Sequence, residues 1–256
     1  MMSQFLSLCI NETKLSLYEM KQYWFETVAS IMMMTVVFLG LFFGIKTFLL
    51  TGDDTSSLDG LLFGYILWSF STAAYSSVTS SIIEDNQKGF LEQLFLCPQG
   101  YTRLLMAKVF SAVSMGFVMM TILAYLAMAL SGNWIELNFA KLFPLLLLTV
   151  PSVIGLGLFL GGLALVYKRV DTFVALMMLA LMGLVAVPAL PLNWASFLPL
   201  APGASLARLV VLEQQELSFN DLSIVAVNSL VYLLIGILSF KHFERMAKRK
   251  NLIGQY

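Results

Sequence analysis

The sequence predicts an all-α polytopic membrane protein with six transmembrane helices. Of its 256 residues, 59% are hydrophobic and only 12% are charged, and the mean hydropathy is +0.85. Soluble domains carry about 25% charged residues, so a soluble fold would leave too much apolar surface in water. Six apolar stretches come close to the roughly 20 residues that a helix needs to cross the hydrocarbon core of a bilayer.

The six stretches follow one another with short connections, which favours a single transmembrane domain over 1–256. The predicted spans are 28–50, 61–83, 104–130, 142–166, 172–190 and 222–240. An even number of spans places both termini on one side. On that topology 12 of the 15 Lys and Arg residues share the side of the termini, and Lys46, Lys141 and Arg208 lie opposite. The positive-inside rule then makes the side of the termini cytoplasmic.

An amphipathic helix is predicted before the first span, over 12–27. Glu12 and Glu19 share one side of a helical wheel, and Leu17, Trp24 and Phe25 share the other. This pattern is typical of a helix lying in the headgroup layer. A simple cytoplasmic extension of the first span is the alternative.

The stretch 191–221 is neither a polar loop nor a full span. Pro191, Pro199 and Pro202 interrupt helices, whereas Trp194 and Phe197 between them are apolar. We expect short re-entrant or interfacial helices there, on the outer side.

The second span carries hydroxyl groups at three- and four-residue steps, which places them on one helical face. The residues are Tyr65, Ser69, Thr72, Ser76, Thr79 and Ser80. They could line a substrate path, or they could bond to a neighbouring helix. No span has a charged residue near its middle, which argues against an ion-coupled transporter or an ion channel. Gly157 and Gly161 in the fourth span form a G-x-x-x-G pattern that allows close helix approach.

The segment 84–98, between the second and third spans, is predicted to form a short cytoplasmic amphipathic helix. Phe90, Leu91, Leu94 and Phe95 form an apolar face at helical spacing, and Pro98 ends it. Such a helix could rest on lipid or dock in a groove of another protein, and the residue pattern alone leaves both open.

This segment resembles the first cytoplasmic loop of type-two ABC exporter permeases. The residues that carry the resemblance are Glu84, Gly89, Leu91-Glu92-Gln93-Leu94 and Pro98, followed by Lys108. The family usually has Thr or Ser where this chain has Phe90. The order of an amphipathic helix, six spans and outer helices before the last span is also similar to that family.

The resemblance implies that 84–98 is a coupling helix that docks on a separate ATP-binding subunit. The residues it assigns to that contact are Glu84, Lys88, Gly89, Phe90, Leu91, Glu92, Leu94 and Pro98. ATP and Mg would bind two copies of that partner, and this chain would hold no cofactor, metal or catalytic residue. A second permease chain, identical or not, would complete the transporter in the bacterial inner membrane, and the substrate would be a drug, an antibiotic or a lipid-like compound.

One independent observation agrees with a separate ATPase, because the chain lacks the G-x-x-x-x-G-K-[ST] phosphate loop. A related family, the haem-linked permease of cytochrome c maturation, has a similar loop and is the alternative. An ATP-independent channel or a membrane scaffold is a further one. An intramembrane hydrolase is disfavoured, since the single histidine, His242, lies outside the spans.

Overall fold

A computed structural model describes residues 2–48, 55–87, 89, 101–132, 134–167 and 170–249. Within these ranges the chain forms eight α-helices and one short 3-10 helix, and no β-strand. The α-helices are α1 (Met2–Gln22), α2 (Trp24–Phe48), α3 (Thr55–Gln87), α4 (Tyr101–Ser131), α5 (Phe139–Val166), α6 (Asp171–Ala186), α7 (Ala201–Leu212) and α8 (Phe219–Arg249). The 3-10 helix is Trp194–Phe197, between α6 and α7.

Four of the described helices are long and apolar enough to cross a membrane. They are Trp24–Thr47, Arg103–Ser131, Phe139–Val166 and Phe219–Arg249. The second predicted span lies within α3, which has the length but carries the hydroxyl groups that lower its hydropathy. The fifth corresponds to α6, whose 16 residues extend only about 24 Å at 1.5 Å per residue. The structure therefore supports a multi-helix membrane domain with four spans by length and composition.

Helix α3 lies at the centre of the bundle, in contact with α4, α5 and α6. Leu62, Ile66, Tyr75 and Ile82 on it are fully buried. This position explains its composition: a helix surrounded by protein does not need a lipid-compatible surface on every side.

Glycines on α5 allow both of its neighbours to approach closely. The predicted G-x-x-x-G pair faces α3, because a Cβ at Gly157 would lie 2.9 Å from Val78 and one at Gly161 would lie 2.3 Å from Ile82. On the other side, a Cβ at Gly155 would lie 2.2 Å from the Tyr232 carbonyl oxygen of α8. The close approach expected from the sequence is present, and a second one, to α8, joins it.

The N-terminal helix begins earlier than the sequence suggested. It runs from Met2 rather than from residue 12, and a turn at Tyr23 separates it from α2. Cys9, before the predicted start, is buried, and Ser16 bonds to Ser111 of α4 at 3.1 Å. In the missed turns the buried side chain is the small Cys9, which a hydropathy pattern does not register, whereas Leu17 in the predicted part is exposed.

The stretch after α6 forms short helices, with the 3-10 helix followed by α7. Helix α7 packs inside the bundle, where a Cβ at Gly203 would overlap the side chain of Thr149 on α5. Leu200 has a φ of 67°, an unusual conformation for a residue with a Cβ. Its N–H donates to the Ser152 hydroxyl at 3.2 Å, so α5 holds this turn in place.

Candidate functional site

A salt bridge joins the two helices that flank the connection between α3 and α4. Lys108 Nζ donates to both carboxylate oxygens of Asp85, at 3.0 and 3.2 Å. The Asp85 side chain is 11% exposed and that of Lys108 is 27% exposed. Asp85 lies in the last turn of α3, where the helix dipole disfavours an acidic side chain. The ammonium group of Lys108 compensates this charge and ties the end of α3 to α4.

Further contacts tie the same place to α5 and α8. The Asn86 side-chain amide, buried, donates to the carbonyl oxygen of Ala164 at 3.1 Å, close to the end of α5, where helical carbonyls have no partner within the helix. Tyr101, the first residue of α4, is buried and stacks on Phe240 of α8 with ring centroids 6.2 Å apart. Burial is the largest cause that raises the pKa of the Tyr101 hydroxyl, and the charges of Asp85 and Glu244 add to it.

Helix α1 reaches this cluster through Glu12. Burial raises the pKa of the Glu12 carboxyl, and the positive charge of Lys108 acts in the opposite direction. Glu12 on α1 and Glu244 on α8 therefore lie at the same end of the bundle. We call the group of Asp85, Asn86, Tyr101 and Lys108 the loop-base cluster.

Only two of the predicted partner-contact residues fall within the described part of the chain. Glu84 is exposed, and Gly89 has a φ of +71°, a left-handed conformation that favours glycine. This backbone requirement gives a physical reason for glycine at that point of the motif. The others lie outside the described residues: Lys88, Phe90, Leu91, Glu92, Leu94 and Pro98.

Most of the loop-base cluster was missed by sequence reasoning. Lys108 was noticed as part of a motif, but its partner Asp85 was not. The available signal was an acidic residue at the predicted end of one span and a basic residue entering the next, since a charge at that depth needs a partner. Tyr101 gave no signal, because an aromatic residue near a span end is common.

The hydroxyl stripe of α3 does not form one continuous polar surface. The Tyr65 hydroxyl donates to the Met34 carbonyl oxygen of α2 at 2.5 Å. Thr79 donates to its own helix at Tyr75 and approaches the Gly157 carbonyl of α5 at 3.5 Å.

Three other stripe residues differ from one another. Ser69 and Ser76 donate to carbonyls of their own helix, and the buried Thr72 hydroxyl has no partner among the described residues. Of the stripe residues, Ser69 lines a cleft of about 370 Å³ between α2, α3 and α4, together with Met34 and Met119.

Residues 43–240 match the family model described as ABC-2 family transporter protein. The chain belongs to the ABC-2 transporter family. No curated protein gives a significant match to the sequence. As an ABC-2 protein with several apolar helices, it is a multi-pass membrane permease of an ABC transporter, and this family membership implies partnership with an ATP-binding subunit. In this ABC-2 permease the loop-base cluster flanks residues 88–100, which hold most of the segment 84–98 that the family resemblance assigns to the partner contact.

Proposed function

We propose that this permease exports a hydrophobic or amphipathic substrate, such as a drug, an antibiotic or a lipid-like compound, across the bacterial inner membrane. In the proposed topology α3 and α6 complete six spans, both termini are cytoplasmic, and α1 lies in the headgroup layer. The exposed apolar residues of α1, Leu17 and Tyr18 among them, support that position. Two permease chains and two ATP-binding subunits, which hold ATP and Mg, would form the transporter.

The observation that carries this proposal is that the helix ends on either side of residues 88–100 are fixed to the rest of the bundle. The loop-base cluster connects the end of α3 and the start of α4 to α5 and α8. When the helix ends that flank a segment are fixed to the bundle, displacement of the segment moves those helices. A loosely attached loop would change its own conformation instead. Movement of the ATP-binding subunits would therefore displace four helices together.

The cleft between α2, α3 and α4 supports a lipophilic substrate. Most of its lining is apolar, and the polar groups are a few hydroxyls, Ser69 and Thr27 among them. Methionine side chains such as Met34 and Met119 adapt to ligands of different shape. No described residue within this lining carries a charge, so a neutral or weakly polar molecule fits it better than an ion.

The coupling role of segment 84–98 can be tested with apolar-to-charged substitutions in the purified complex with its ATPase. We expect Leu91→Asp and Leu94→Asp to abolish substrate-stimulated ATP hydrolysis, because a carboxylate cannot enter an apolar groove without a large desolvation cost. Trp134→Asp is the matched control, since Trp134 is exposed in the connection between α4 and α5. Normal stimulation in the two leucine variants would contradict the docking role.

A further inference from the structure

A second cleft, of about 180 Å³, lies between α2, α3, α6 and α7. Leu41, Gly64, Tyr65, Trp68 and Met182 contribute to its lining, and Arg208 is the one charged side chain among the described residues that line it. This cleft is separate from the loop-base cluster, because Arg208 bonds the last residues of α6 whereas the cluster contacts the last turns of α3 and α5.

The surface of the cleft is mainly apolar, although two of its lining residues, Tyr65 and Trp68, carry a polar atom. The Tyr65 hydroxyl donates to the Met34 carbonyl at 2.5 Å. The Trp68 indole Nε1 donates to the Met178 carbonyl of α6 at 3.0 Å. Both polar groups are thus satisfied by backbone, so the cleft interior favours a hydrocarbon chain over water.

Arg208 provides a positive charge at one end of this apolar cleft. Its guanidinium donates to the carbonyl oxygens of Val185 at 2.6 Å and Ala186 at 3.3 Å, the last residues of α6. A guanidinium has five N–H donors, so three remain after these two bonds. Within the described residues no carboxylate lies within 4 Å of it, and Glu213 acts on it only at longer range.

The distance between the charge and the aromatic wall suits an amphiphile. Arg208 bonds α6 at Val185, and Trp68 bonds α6 at Met178, so the two contacts lie about 10 Å apart along the helix axis. In the proposed topology the end of α6 meets the headgroup layer, which would place Arg208 at that level and Trp68 deeper, among the acyl chains.

The space beside Gly64 is empty, whereas other glycines of the bundle lie against a neighbouring helix. A Cβ at Gly64 would meet nothing within 4 Å, whereas one at Gly155 or Gly203 would overlap a neighbour at 2.2 Å. The described part of the chain therefore supplies no occupant for the surface beside Gly64.

From these observations we infer that the cleft binds a membrane phospholipid, with its phosphate on Arg208 and an acyl chain beside Gly64 and Trp68. The lipid matches the cleft in charge and in polarity. Its phosphate would accept hydrogen bonds from the free N–H groups of the guanidinium, and its acyl chain would pack against the apolar lining. A lipid with a net anionic headgroup satisfies the unpaired charge better than a zwitterionic one. This site goes beyond the proposed export function; it rests on the proposed membrane topology and not on export.

The test uses fluorescence of Trp68 in the purified full-length chain in detergent. Trp24, Trp134 and Trp194 are replaced by Phe, which leaves Trp68 as the single tryptophan. The probe is phosphatidylglycerol with brominated acyl chains, which quenches a nearby indole. We expect saturable quenching in the parent, and half-saturation about tenfold to a hundredfold higher in Arg208→Gln, the range produced by loss of a charge-assisted hydrogen bond.

Two further variants separate binding from folding. Gly64→Leu fills the cleft but leaves the bonds of Arg208 to α6 intact, so we expect it to abolish saturable quenching without loss of α-helical circular dichroism. Lys141→Gln, a charge loss on α5 outside this cleft, is the matched control and should leave the curve unchanged. Inorganic phosphate alone should not displace the brominated lipid at equal concentration, since it lacks the chain.

Three results would overturn the inference. The first is quenching that rises linearly without saturation in the parent, and the second is identical saturation in the parent, Arg208→Gln and Gly64→Leu. The third is protection of Trp68 that increases with protein concentration rather than with lipid, because a second copy of the chain would then occupy the cleft.

Discussion

Lys108 on α4 and Asp85 on α3 form a salt bridge of 3.0 Å beside both ends of the segment 88–100. The pair is half-buried and is flanked by the Asn86 bond to α5 and the stacking of Tyr101 on Phe240 of α8. Four helices thus meet where the ATP-binding partner is proposed to dock. The arrangement makes the pair more than a local stabilising contact, because it joins the two helices that flank the proposed docking segment.

Neutralisation of one partner should uncouple the transporter. We expect Asp85→Asn to lower substrate-stimulated ATP hydrolysis by the complex severalfold and to cost about 1–2 kcal/mol of stability, since Lys108 loses a charged acceptor in a partly buried place. The double exchange Asp85→Lys with Lys108→Asp should restore part of the coupling.

The control for this pair lies at the other end of the bundle. Lys141 is exposed in the first turn of α5, whereas Asn86 bonds to Ala164 near the last turn of that helix, so Lys141→Gln removes a positive charge far from the connection. Coupling that falls equally in Lys141→Gln and Asp85→Asn would show that the effect is nonspecific.

The contact of α5 with α8 should tolerate no additional carbon atom. In Gly155→Ala the new Cβ would lie 2.2 Å from the Tyr232 carbonyl oxygen, so the helices must separate. We expect a loss of about 1–3 kcal/mol, measured as a lower thermal unfolding midpoint in detergent. Gly183→Ala on α6 introduces the same atom where nothing lies within 4 Å, and it should leave the midpoint unchanged; an equal drop in both variants would contradict the packing described here.

The hydroxyl of Thr79 should matter for packing and not for substrate choice. It is fully buried and bonds to Tyr75 and Gly157 carbonyls. Thr79→Val should lower stability by about 0.5–1.5 kcal/mol and leave the range of transported compounds intact. Ser69→Leu, which narrows the cleft between α2, α3 and α4, should instead change transport of bulky compounds. A changed substrate range in Thr79→Val at unchanged stability would place Thr79 on the path.

The sequence predicted the helical membrane domain because long, nearly uncharged apolar runs are typical of helices that cross a bilayer. It also predicted the close packing at Gly157 and Gly161, since small residues four positions apart lie on one helix face and allow a neighbouring helix to approach. The central position of α3 was not predictable in the same way. Its hydroxyl groups bond mostly to backbone, and a helix that is surrounded by protein resembles, in sequence, one that lines a polar path.

The sequence predicted the candidate site only where neighbouring residues form a recognisable motif. A motif marked Gly89, and the positive φ there gives it a physical basis. The partners of Asp85 and Asn86 lie 23 and 78 residues away, and their pairing depends on how the helices pack. The early start of α1 was missed for a related reason, because Cys9, the buried side chain among residues 5–11, is small and adds no apolar pattern.

The most direct test of the coupling assignment is photo-crosslinking in the native membrane. A benzophenone amino acid replaces Leu91, and a second protein carries it at Trp134 as the control. The account predicts that position 91 crosslinks to a protein whose peptides, by mass spectrometry, contain a G-x-x-x-x-G-K-[ST] phosphate loop, and that position 134 does not. Crosslinking of position 91 to lipid alone, or capture of the same ATPase from both positions, would contradict it.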